Sequence, residues 1–131
     1  MSLLQTLNLA GNRLTTLDNL TFSNCTKIQT LNLGRNKFTS INSALLQPLG
    51  ELVNLYLNDN LLTKLETSIF LLFAKLGLLH LHNNRMSENG YEYIHNLRAI
   101  GELRLDGTRN SILDVFINKT HLKDMPLIQT L

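Results

Sequence analysis

Leucine returns in this chain at a fixed step of 24 residues, and that step limits the fold more than any single motif does. Leu7, Leu31, Leu55, Leu79 and Leu103 form one series, each followed two positions later by Leu9, Leu33, Leu57, Leu81 and Leu105. The full unit, L-x-x-L-x-L-x-x-N-x-L, reads Leu4, Leu7, Leu9, Asn12, Leu14 at its first occurrence and Ile28, Leu31, Leu33, Asn36, Phe38 at its second. It continues as Leu52, Leu55, Leu57, Asn60, Leu62 and as Leu76, Leu79, Leu81, Asn84, Met86. One unit of a short strand and a return segment cannot bury its apolar face alone, so neighbours must stack. The expected product is a curved, horseshoe-like α/β solenoid. Its concave side is a parallel sheet with one short strand per unit, and its convex side carries irregular or short helical returns.

The phase gives five units, 4–27, 28–51, 52–75, 76–99 and 100–127, and a sixth stub at 128–131. Strands are expected at Thr6 to Leu9, Thr30 to Leu33, Asn54 to Leu57, Leu78 to Leu81 and Glu102 to Leu105. The fifth unit departs from the pattern, with Thr108 in place of the asparagine and Ile128 arriving 28 residues after Ile100. Such extra residues often map to binding faces. Asn89 and Gly90 mark a turn in the fourth return, with Tyr91, Ile94 and Leu97 following at helical spacing. Hydrophobic residues at 44% and charged residues at 17% describe a chain that folds rather than one that stays disordered. The longest apolar run, Ile69 to Ala74, is far shorter than the ~20 residues of a membrane helix, so no membrane insertion is expected. A formal net charge of +2 gives no ground for nucleic-acid binding. Met1, Ser2 and Leu3 lead directly into the first unit without a signal-peptide pattern, and both ends stop in strand phase without a capping unit. The expectation is a segment of a longer array that self-associates through its ends.

The 24-residue unit, with a bulky apolar residue 18 positions after each start at Phe22, Leu46, Phe70 and Ile94, resembles the typical class of leucine-rich repeats. That class occurs in Toll-type receptor ectodomains, chaoptin and the small leucine-rich proteoglycans. The plant G-x-I-P and bacterial L-P-x-L-P patterns are absent. The resemblance implies a non-catalytic, extracellular and often glycosylated array that recognises ligands or dimerises, as in innate immunity or cell adhesion. A cytosolic repeat scaffold and a structural unit that stacks through its ends are the alternatives. No G-x-S-x-G, H-E-x-x-H, C-x-x-C or phosphate loop points to catalysis, and no cofactor is expected.

Side chains alternate between the two faces of a strand. With the leucines inward, Asn8, Asn32, Tyr56, His80 and Arg104 form a row on the concave face. Ala10, Gly34, Asn58, His82 and Asp106 form the row beside it. Tyrosine and arginine are favoured interface anchors, so the expected contact patch is Asn32, Tyr56, His80, His82, Arg104 and Asp106, facing a protein or glycan ligand. His80, His82 and Asp106 also raise a metal site, set aside for want of a full ligand set. Asn12, Asn36, Asn60 and Asn84 are expected to form a structural ladder, since one carboxamide can satisfy several backbone groups where the chain leaves the sheet. One position further, Arg13, Lys37, Arg85 and Arg109 make a basic rim, interrupted by Leu61. Sequons stand at Asn19, Asn24 and Asn118, about as many as chance gives in this composition. Cys25 takes the apolar slot that Leu49 and Phe73 fill in later units.

Overall fold

A computed structural model of the chain describes residues 3–87, 97, 99–105 and 128–129. Six parallel strands form one sheet in chain order: β1 (Thr6–Asn8), β2 (Thr30–Asn32), β3 (Asn54–Tyr56), β4 (Leu78–His80), β5 (Glu102–Arg104) and β6 (Ile128–Gln129). The register follows the sequence period, with Leu7 beside Leu31, Leu55, Leu79 and Leu103 in turn. Period-two alternation then decides the faces. Leu31, Leu55, Leu79 and Leu103 are fully buried, whereas Asn32, Tyr56, His80 and Arg104 between them are half-buried.

Two expectations about the ends of the sheet are corrected. Leu7, expected in the core with its equivalents, is only half-buried, because β1 has a strand neighbour on one side alone. The last strand also enters in a different phase: Ile128 lies opposite Leu103, a step of 25 residues rather than the expected 28 between unit starts. Thr130 stands two positions after it, where the other units have Leu9, Leu33, Leu57, Leu81 and Leu105, so apolar spacing alone left that phase open.

Each return packs apolar side chains against the sheet by its own local chemistry. In the second unit Asn42 caps a single helical turn, α1 (Ser43–Leu46), its side chain accepting from Ala44 N at 2.8 Å, and the turn buries Leu45 and Leu46. The third return is a 3-10 helix, Thr67–Leu72, that buries Ile69 and Phe70. Phe22, Leu46 and Phe70 are buried at the expected equivalent position, and Cys25, Leu49 and Phe73 share the next buried slot. Ile94 and the turn at Asn89 and Gly90 lie outside the described residues, as do the irregular part of the fifth unit, Asp106, Arg109 and Asn118. Leu97 is buried.

The asparagine ladder closes the fold where each strand ends. Asn60 Nδ2 donates to Leu33 O at 3.0 Å, Leu57 O at 3.2 Å and Asn58 O at 3.3 Å, and its Oδ1 accepts from Phe38 N at 3.1 Å. Asn36 and Asn84 repeat the arrangement one unit before and one after, so each amide stitches its own turn to the preceding unit. Without these bonds the buried carbonyls and N–H groups would lack partners, at about 1–3 kcal/mol each.

Candidate functional site on the concave face

Three parallel rows of side chains line the concave face. The first is Thr6, Thr30, Asn54, Leu78 and Glu102, the second Asn8, Asn32, Tyr56, His80 and Arg104, and the third Ala10, Gly34, Asn58 and His82. Toward the first units the rows present amides and hydroxyls, several already engaged. Asn8 and Asn32 accept from Ala10 N and Gly34 N two residues on, at 3.0 and 2.9 Å, and Asn54 donates to Thr30 Oγ1 at 3.0 Å. Gly34 is buried between them, and a Cβ there would meet Asn58 Oδ1 at 2.8 Å and Asn32 Oδ1 at 3.1 Å. The glycine therefore sets how closely the second and third rows approach.

Toward the later units the face changes character. The rings of Tyr56 and His80 meet edge to face, with centroids 4.9 Å apart and planes at 87°, the favoured arrangement for neighbouring aromatic groups. His80 Nε2 lies 2.7 Å from Glu102 Oε1, close enough for its N–H to donate to the carboxylate. With side chains only 15% and 31% exposed, His80 and Glu102 form a pair partly withdrawn from water. Arg104 stands directly across the strand pair from His80. Tyr56, His80, Glu102 and Arg104 thus come together from β3, β4 and β5.

The predicted patch is corrected at His82, which is buried with 8% of its surface exposed. The third row lies just past the strands, where Gly34 and His82 are buried and Ala10 and Asn58 half-buried. The His82 ring packs against that of His80, with centroids 5.4 Å apart, and supports it from the side. Asn32 sits in the expected row, but its amide oxygen is held by Gly34 N. Asp106, the possible third ligand for a metal, lies outside the described residues. No group of three or more histidine, cysteine, aspartate or glutamate side chains able to hold a metal occurs among the described residues.

The sequence reading passed over Glu102. Its signal was available: Glu102 lies two positions before Arg104, on the same face by alternation and next to β4. A second group also escaped notice. Arg35, Asp59 and Asn83 adopt φ of 57°, 56° and 58° in the turn where Gly11 has 74°. There Asp59 accepts from Asn58 Nδ2 at 2.6 Å and from Asn83 Nδ2 at 2.9 Å. Partial burial pushes the Asp59 carboxyl up, but these two hydrogen bonds and the electrostatic influence of His82 and Arg35 outweigh it and hold it below its ordinary value.

Other expected residues lie away from this cluster. Arg13, Lys37 and Arg85 are exposed on the rim, and Asn19 and Asn24 are exposed on the first return. Among the described residues no helix is long and apolar enough to cross a membrane.

Residues 2–62 match the leucine rich repeat family. No curated protein matches the chain. Among solved structures, an internalin from Listeria monocytogenes superimposes over 99% of this chain with a TM-score of 0.76 at 22% identity. A leucine-rich-repeat protein from Leptospira interrogans superimposes over 95% with a TM-score of 0.71 at 25% identity. The chain spans 36% and 30% of the lengths of those two proteins.

Proposed function

We propose that the chain is a leucine-rich-repeat recognition segment that binds a protein partner on its concave face, centred on Tyr56, His80, Glu102 and Arg104. The observation that carries this reading is the Tyr56–His80–Glu102 contact. It fixes a ring, an imidazole and a carboxylate before any partner arrives, so little side-chain freedom remains to be lost on binding. Tyrosine and arginine in such partly covered positions are favoured energetic anchors. A sheet face bearing only amides would be soluble but would offer no comparable anchor.

The reading extends to an extracellular receptor or adhesion protein, of the kind that Toll-type ectodomains represent. It is supported by the 24-residue class of the repeat and by the exposure of Asn19 and Asn24, which leaves both sequons open to a glycan on the convex side. Secretory expression followed by deglycosylation tests that part: a mobility shift lost in Asn19→Gln/Asn24→Gln supports it, and an unshifted wild-type chain contradicts it.

The binding itself is tested by screening the chain against a panel of extracellular proteins, in parallel with Tyr56→Ala and Arg104→Ala. Each substitution is expected to weaken a specific partner by more than about 1 kcal/mol, or about fivefold, with the fold intact. Partners that bind both variants as tightly as the parent chain would overturn the proposed face.

A further inference from the structure

Two exposed rows run along opposite edges of the sheet, and their charges are arranged differently. At the strand entry, Lys27, Glu51 and Lys75 follow one another at 24-residue steps with alternating sign. Lys75 Nζ lies 2.7 Å from Glu51 Oε2, and both Lys75 and Lys27 hold the Glu51 carboxyl below its ordinary value, the Lys75 hydrogen bond most strongly. At the strand exit, just past the asparagine ladder, Arg13, Lys37 and Arg85 repeat the same sign, and Leu61 alone breaks the row.

The exit row is held in register by backbone bonds. Lys37 N donates to Leu14 O at 2.8 Å, Leu61 N to Phe38 O at 2.9 Å and Arg85 N to Leu62 O at 2.8 Å. Neighbouring positions are therefore about one strand spacing apart, ~4.8 Å. Arg13 and Lys37, adjacent at this spacing, repel each other, while Arg85 stands two spacings beyond Lys37 across Leu61. Arg13, Lys37 and Arg85 are nonetheless exposed, and among the described residues none has a carboxylate within ion-pair distance. The entry row on the opposite edge shows that this fold accommodates a compensating acid at the same step. Charge repetition against that local alternative marks a surface set for a repeating anion.

We propose that the rim row Arg13, Lys37 and Arg85 binds a linear sulfated glycan laid along the solenoid axis. Such a chain presents sulfates at intervals that a line of cations meets without deep pockets, and a guanidinium fork grips a tetrahedral oxyanion in bidentate fashion. A nucleic acid is the less suitable polyanion, since sites for its single strands interleave cations with aromatic side chains for base stacking. The row has no aromatic member, and its one uncharged position is the half-buried Leu61. This site is separate from the concave face and stands whether or not that face binds protein.

The test is titration of the full chain with a heparin octasaccharide at physiological salt. The parent chain is expected to bind. Arg13→Glu/Lys37→Glu should lose about tenfold or more in affinity and show a shallower salt dependence. Arg13→Gln/Lys37→Gln, which adds no repulsion, should fall between the two. Lys27→Glu/Lys75→Glu, an equal change of net charge on the opposite edge, should stay within about twofold of the parent. Circular dichroism confirms that each variant folds. Absence of binding by the parent chain, an equal loss in the opposite-edge variant, or equally tight binding of a single-stranded DNA of matched charge would each overturn the proposal.

Discussion

Asn60 shows how much one side chain can settle at the scale of a residue. Its carboxamide satisfies Leu33 O, Leu57 O, Asn58 O and Phe38 N in a place that only 5% of its surface escapes. Asn60→Ala should cost about 3 kcal/mol in urea unfolding, because buried backbone groups lose their partners. Asn12 occupies the same motif position but is exposed, and among the described residues bonds only Leu9 O and Ala10 O. Asn12→Ala should cost less than about 1 kcal/mol, since water replaces the amide. Gly34→Ala is the steric counterpart, expected to destabilise by about 1–2 kcal/mol because the new methyl must displace Asn32 and Asn58. Asp59 adds a pH dependence. Its folded carboxyl titrates below its ordinary value, so the unfolded chain takes up the proton first as pH falls. Its contribution is complete above the ordinary carboxylate range and is lost as pH drops through the lowered folded value. Asp59→Asn should flatten that part of the acid limb in thermal melts recorded against pH, and an unchanged limb would show that the two amide bonds contribute nothing.

At the scale of the element, the strands were legible because two periods coincide. Alternation fixes the face, and the 24-residue step fixes the register, so each of β1 to β5 appears at its expected start. The convex returns were legible only in their buried anchors, Phe22, Leu46 and Phe70, since one apolar residue per return permits a turn, an α-helical turn or a 3-10 helix alike. The candidate site was half legible. Tyr56, His80 and Arg104 fall in one row by counting, but counting does not separate buried His82 from half-buried Asn58 at the equivalent position one strand earlier. The Glu102 contact crosses between rows, which a single-row reading does not inspect. Burial also grades along the sheet, giving a prediction for whole strands. Leu55→Ala, between two neighbours, should cost about 3 kcal/mol, and Leu7→Ala, half-exposed on β1, about half as much. Equal costs in denaturant titrations would mean that β1 is covered in solution by something beyond the described contacts.

Across the whole molecule, a solenoid separates stability from recognition. Inward leucines and the asparagine ladder bind each unit to the next, and the outward rows are left to vary without breaking that chain of contacts. The concave face uses this freedom to gather an aromatic and charged cluster over three strands, while the exit rim repeats one charge and the convex side carries short helical turns. Recognition through the concave face is the central claim, and hydrogen exchange on the complex with a partner retrieved from the extracellular panel tests it most directly. The account predicts added protection in 54–58, 78–82 and 102–105, with the returns at 43–46 and 67–72 exchanging as in the free chain. Protection confined to those returns, with the three strands unchanged, would contradict it.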